Sequence, residues 1–179
     1  MPIENERKIV LRDPERVLEA ALAVRQGVRR QRLRQAYLDA AGVRIREIVA
    51  DDGIARVFSY KRPVDGQMVE IETAISKDDF ARLWTLRRET LEKTRYSWTE
   101  GSLHWDVDFF GEPGRPYFTM AEVEMPADRT ELPALPPELA RHSLHIVEAG
   151  DARFTSKRLA DPGHAAMLFA ALIAGVPLP

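Results

Sequence analysis

The chain has 179 residues, 45% of them hydrophobic and 30% charged, a composition that predicts one globular domain over residues 1–179 and leaves too little length for two of ordinary size. Its 26 Lys and Arg are nearly matched by 28 Asp and Glu, and a net charge of -2 argues against a general nucleic-acid binder. The absence of cysteine excludes a disulfide framework and any thiolate metal site, so a metal would fall to oxygen ligands or to His104, His142, His145 and His164, with carboxylates favoured.

The first predicted strand runs over residues 3–11. Asp13 and Pro14 then read as an N-cap and a first-turn proline, and Val17, Leu18, Ala21, Leu22 and Val24 recur at helical spacing as far as Gly27. Over 32–38, 43–50 and 55–62 the period shortens to two, with turns at Ala41-Gly42 and Asp51-Asp52-Gly53, which predicts antiparallel hairpins. A further strand is predicted over 67–75, after a turn at 63–66.

Ser76 reads as the cap of a helix with Asp79 as its capping-box acid, and Phe80, Leu83, Trp84, Arg87 and Leu91 carry the helical spacing onward. Strands are predicted over 93–98, 102–110 and 117–125. The proline-rich stretch 126–137 reads as a loop before a short helix over 137–142, and a last helix starts near Asp161-Pro162. The charged N-terminus carries no secretory pattern, and the longest uncharged stretch, interrupted by Gly175 and two prolines, is too short to cross a bilayer. A cytoplasmic protein without membrane or nucleic-acid partners is expected, and the sequence is compatible with a homodimer.

Acidic pairs at spacing two occur at Glu4/Glu6, Glu70/Glu72, Asp106/Asp108 and Glu122/Glu124, each inside a predicted strand. Strand alternation puts both members of a pair on one face, and Lys8 on the face of Glu4 and Glu6. Arg44/Arg46 and Lys93/Arg95 repeat the pattern in positive charge, Lys61 ends another strand, and Arg153 and Lys157 share a parity. Alternation alone is the signature of a sheet with one wet face. Sorting whole strands by sign admits a second arrangement, because like charges at close quarters repel. A sheet closed with this face inward would bury unpaired charge, and a multiply charged anion with divalent cations would resolve it.

Glu4-Asn5-Glu6-Arg7-Lys8 resembles the E-x-E-x-K signature of the CYTH superfamily, the triphosphate tunnel metalloenzymes. The resemblance continues in order through Arg34 to Leu38, Arg44-Ile45-Arg46, Tyr60-Lys61-Arg62, Glu70-Ile71-Glu72, Glu92 to Tyr96, Val107-Asp108-Phe109, Ala121 to Glu124 and Asp151 to Lys157. It implies an α+β protein: an eight-stranded antiparallel barrel forming a tunnel, with helices packed outside. By position it implies metal-binding roles for Glu4, Glu6, Asp108, Glu122 and Glu124, and a triphosphate path lined by Lys8, Arg44, Arg46, Lys61, Lys93, Arg95, Arg153 and Lys157. Glu72 would be a further tunnel acid. Ala36 replaces a frequent glycine, Ala152 a base found in some relatives and Phe154 a frequent tyrosine, so substrate preference is the property these departures touch.

The activity implied is Mg²⁺- or Mn²⁺-dependent hydrolysis of a linear triphosphate, inorganic tripolyphosphate first, with two ions in the active complex and Glu122, Glu124 and Lys93 at the reacting end. The rival readings are thiamine triphosphate hydrolysis, cyclisation of ATP to cyclic AMP and pyrophosphate, and polyphosphate binding without turnover. His104 and His145 sit at no recognisable ligand spacing. Trp98 and Trp105 offer either a stacking surface for a base or ordinary packing. The cluster Arg25, Arg29, Arg30, Arg32 and Arg34 would either draw anions to a rim or keep a strand edge soluble.

Overall fold

The computed structural model describes residues 5–64 and 67–179; Glu4, and Asp65 and Gly66 of the expected 63–66 turn, lie outside them. The alternating segments form nine strands: β1 (Glu6–Leu11), β2 (Arg29–Leu38), β3 (Val43–Ala50), β4 (Gly53–Val64), β5 (Gln67–Ala74), β6 (Arg87–Glu100), β7 (Leu103–Glu112), β8 (Arg115–Glu124) and β9 (Ser143–Ile146). All pair antiparallel in the order β5-β4-β3-β2-β6-β7-β8-β1-β9. Among the described residues the expected count of eight is thus corrected to nine, and no ladder joins β5 to β9.

The helices are α1 (Val17–Val24), α2 (Lys77–Trp84), α3 (Pro137–His142), α4 (Ser156–Leu159) and α5 (Pro162–Ala174), with a 3₁₀ turn at Ala152–Phe154. α1 begins later than Pro14, after Arg16 in the left-handed region, but Asp13 still caps it: its carboxylate accepts from the backbone N–H of Leu18 and Glu19 at 3.0 Å each. Ser76 caps α2 as read, its Oγ accepting from Asp79 N–H at 3.0 Å, but Asp79 Oδ2 accepts from the Ser76 hydroxyl at 2.7 Å rather than from its backbone N–H. This helix does not reach Leu91. The Thr85 hydroxyl donates to Arg82 O at 2.7 Å and the Arg87 guanidinium to Trp84 O at 2.9 Å, closing the last turn, and Arg87 then opens β6. Among the described residues, no helix is long and apolar enough to cross a membrane.

One face of the sheet is apolar along most of its length. Ile9, Tyr96, Trp98, Trp105, Val107, Phe109, Ala121 and Val123 pack there with Leu18 and Leu22 of α1 and Leu139 of α3. Ala36, Leu38 and Ile45 meet Phe80 of α2. Trp98 and Trp105 stack at 6.1 Å within this layer, which settles them as packing residues. The opposite face changes character along the strands: Val10, Leu91, Phe110, Phe118 and Met120 are covered by Phe154, Leu159, Ala165 and Leu168 of the C-terminal segment. Beyond them the same face is charged.

Gly42 fixes the β3 entry against β4. Its φ is +81°, and a Cβ there would stand 2.4 Å from Lys61 O and 2.5 Å from Arg62 Cγ. Gly42→Ala is expected to cost roughly 2–3 kcal/mol, lowering Tm by about 4–10 °C. A thermal melt within a degree of the parent would refute this account of the turn.

Candidate functional site

Pairing converts the sequence parities into rows across the charged face. Glu6 lies opposite Glu124, Glu124 opposite His104 and His104 opposite Thr99. In the next row Lys8 faces Glu122, Glu122 faces Asp106 and Asp106 faces Ser97. Asp108 then pairs with Met120 and Arg95, and Lys93 with Phe110, where the apolar half begins. Across β2, Gln35 leads to Arg46 and Tyr37 to Arg44 on β3; Arg44 faces Ser59 on β4, and Ser59 faces Glu72 on β5.

These rows surround a cavity of about 720 Å³. Glu6, Lys8, Arg44, Arg46, Lys61 and Glu72 line it, as do Lys93, Arg95, Glu122, Glu124 and Lys157. It also takes in Tyr37, Ser59, Glu70, His104 and Asp106, which the motif positions did not single out as site residues. Strand parity marks Asp106 as readily as Asp108, since the two share a face.

Two expected members stand elsewhere. Asp108 is fully buried beneath the wall: Lys93 Nζ donates to its Oδ2 at 2.5 Å, and Arg95 reaches both carboxylate oxygens at 2.7 and 2.6 Å. Arg153 follows no strand parity, because residues 152–159 are a 3₁₀ turn and a short helix. Its guanidinium donates to Asp151 Oδ2 at 2.8 Å and to Leu178 O at 3.2 Å, off the cavity. His145 lies beside Phe154, with ring centroids 6.0 Å apart and the rings tilted by 33°.

Charge is unevenly compensated. Arg95 also donates to Asp106 at 2.5 Å and to Glu122 at 3.3 Å, Ser97 donates to Asp106 at 2.5 Å, and Lys8 pairs with Glu6 and stands 3.8 Å from Glu122. Burial pushes the Lys93 ammonium down to about 8, with Arg95 adding to the fall and Asp108 opposing it. Burial opposes ionisation of Asp108, but Arg95 and Lys93 outweigh it and hold the carboxyl well below the usual range. Burial, together with nearby Asp108, pushes Glu122 up.

On the cationic side Arg44 contacts Glu70 at 3.2 Å and Glu72 at 3.3 Å, and Lys61 lies 3.5 Å from Glu70. Arg46 makes no hydrogen bond or ion pair among the described residues, and its buried Nε is unsatisfied. Burial, with Arg44 and Arg95 alongside, pushes this guanidinium down to about 10. A half-buried guanidinium with an unsatisfied Nε is chemically suited to an anion.

The acids bear on a metal. Glu6, Glu122 and Glu124 offer hard oxygen donors on adjacent strands, the chemistry suited to Mg²⁺ or Mn²⁺. Among the described residues no three acidic or imidazole groups converge on one point as they stand.

No protein-family model and no curated protein matches the sequence. Solved structures do match the fold. One, described as the hypothetical protein NE1496, is 25% identical with a TM-score of 0.53, over 88% of this chain and 97% of that one. Another, described as the inorganic triphosphatase NE1496, is 24% identical with a TM-score of 0.54, over 89% and 95%. The chain shares the fold of these structures, in agreement with the ordered motifs that resemble the CYTH superfamily.

Proposed function

We propose that this protein is a metal-dependent hydrolase of linear triphosphates, with inorganic tripolyphosphate as its leading substrate. In this reading the curved sheet wraps the triphosphate as a barrel-like tunnel. The observation that carries it is the half-buried Arg46, whose buried Nε has no partner, facing a cavity in which carboxylates stand on neighbouring strands. The fold likeness to NE1496, described as an inorganic triphosphatase, supports the same class.

Arg46 and Arg44 would grip phosphate oxygens through forked hydrogen bonds, while Lys8, Lys61, Lys93 and Lys157 act as point charges around the chain. Arg95, anchored on Asp106 and Asp108, presents a guanidinium fixed in orientation before the substrate arrives. Glu6, Glu122 and Glu124, joined by Glu4, would hold Mg²⁺ or Mn²⁺. When bound, the ion supplies neutralisation of phosphate charge and a more acidic water. Glu122 and Glu124 would orient an attacking water and accept its proton. Phosphoryl transfer needs little beyond positioning and charge stabilisation, so no covalent nucleophile is required.

The test compares tripolyphosphate, ATP and thiamine triphosphate with Mg²⁺, with Mn²⁺ and with chelator. Phosphate release is expected fastest from tripolyphosphate and absent with chelator. Arg46→Met is expected to raise KM for tripolyphosphate about 10- to 100-fold. The same variant should melt higher, because an uncompensated cation leaves the interior. Cyclic AMP from ATP, or tight tripolyphosphate binding without release, would replace this reading with cyclisation or with a binding module.

A further inference from the structure

A second cavity of about 590 Å³ lies beside the first. Arg95, His104 and Asp106 line both, so the two spaces share a wall along β6 and β7. Arg29, Gln31, Ser97 and Thr99 line the second alone, together with Gly27 and Trp98, on the side away from the apolar plug of the C-terminal helices. None of the six carries a role in the reading above.

Its free groups define what it would take. Ser97 already donates to Asp106, and Thr99 Oγ1 lies 3.3 Å from His104 Nδ1. Asp106 already accepts from Ser97 and Arg95, and His104 Nε2 stands 3.3 Å from its Oδ1, which leaves it little capacity for a sugar hydroxyl. Gln31 has no side-chain hydrogen bond among the described residues, and Arg29 is tied only to Asp52, an ion pair whose members are 55% and 72% exposed. Such a pair is weak and exchanges readily for a stronger anion. Trp98 at this cavity is 5% exposed, with Arg25 over its ring at 4.6 Å and Trp105 stacked against it. No indole face is left for a base.

We infer that the second cavity binds a further phosphate of the substrate, so that the preferred ligand is an inorganic phosphate chain longer than three units. Arg29 supplies the added positive charge and Gln31 a neutral donor, a pairing that suits an acceptor-only oxyanion. This inference rests on the triphosphatase reading, whose cavity would hold the first three phosphates.

Calorimetry and phosphate release, both in Mg²⁺, test it with linear tripolyphosphate, linear tetrapolyphosphate and ATP on the parent chain, on Arg29→Ala/Gln31→Ala and on Asp52→Ala. Tetrapolyphosphate is expected to bind about fivefold tighter than tripolyphosphate to the parent. The double variant should erase that difference and leave tripolyphosphate affinity and turnover unchanged, whereas Asp52→Ala, which frees Arg29, should widen it. Tetrapolyphosphate bound no tighter than tripolyphosphate, or a difference that survives the double variant, overturns the inference while tripolyphosphate hydrolysis stands. Weakened ATP binding in the double variant with tetrapolyphosphate unaffected would assign the cavity to a nucleoside and also overturn it. Absence of tripolyphosphate binding and turnover would remove the triphosphatase reading and this inference together.

Discussion

Glu122→Ala is expected to lower kcat for tripolyphosphate by about 100-fold or more without lowering the melting temperature. Glu122 sits in the row between Lys8 and Asp106, and its carboxylate faces the cavity with Arg95 at 3.3 Å. Burial and the charges of Asp108 and Glu6 push its pKa up, so the folded chain holds the Glu122 proton more tightly than the unfolded chain does. Stability from this group therefore falls as pH rises through its titration, and at neutral pH the ionised form opposes folding. Removing it relieves that opposition. Lys8 keeps Glu6, and Arg95 keeps Asp106 and Asp108, so no cation is stranded. Steady-state phosphate release paired with a melt distinguishes the cases: unchanged turnover would sink the assignment, and a collapsed melt would show that Glu122 is structural.

The features that were legible in the sequence are those carried by local chemistry. The bounds of β3 and α3 coincide with the alternating run at 43–50 and the proline-led turn at 137–142, and α5 starts on the Asp161-Pro162 cap. Sorting of strands by sign was readable because period-two alternation preserves face identity whatever the neighbours are. What was hidden depends on tertiary pairing. Leu83, Arg87 and Leu91 keep helical spacing, yet the strand won because residues from Arg87 onward complete ladders with both β2 and β7. β9 is four residues following directly on α3, with no turn residue to announce it.

The same limit governs the site. Motif order selects Asp108, but only the structure shows that Lys93 and Arg95 enclose it and that Asp106 reaches the cavity instead. Arg153 resembles a tunnel cation by position, yet the local fold turns it to Asp151. Likewise, the arginine cluster at 25–34 divides by face. Arg25 pairs with Glu138 over Trp98 and Arg34 lies over Trp84, while Arg29 lines the second cavity. Composition and spacing treat these arginines alike; alternation and pairing separate them.

Asp108→Ala is expected to cost about 3–5 kcal/mol and to lower Tm by roughly 10 °C, because it leaves Lys93 buried without its carboxylate beside a second cation. The Lys93 side chain is 2% exposed and that of Asp108 is 0%, so solvent cannot screen the loss. The pH dependence follows from the two pKa shifts. Asp108 is held below its unfolded value, so its contribution is complete above about pH 4 and fades only as pH falls further. Lys93 is pushed down to about 8, below its unfolded value, so stability rises with pH through that region as the folded chain sheds the proton first. Without Asp108 this rise should begin at lower pH, and the deficit of the variant should shrink between pH 7 and pH 9. Replacing both partners, Lys93→Met with Asp108→Leu, should restore most of the melting temperature, since an apolar pair of similar volume needs no compensation. It should still bind tripolyphosphate more weakly than the parent, because Lys93 also lines the cavity. Melts of the single and double variants at both pH values decide the matter: a single variant within a degree or two of the parent, or a double variant no more stable than the single, would show that the Lys93–Asp108–Arg95 cluster does not hold this wall of the cavity.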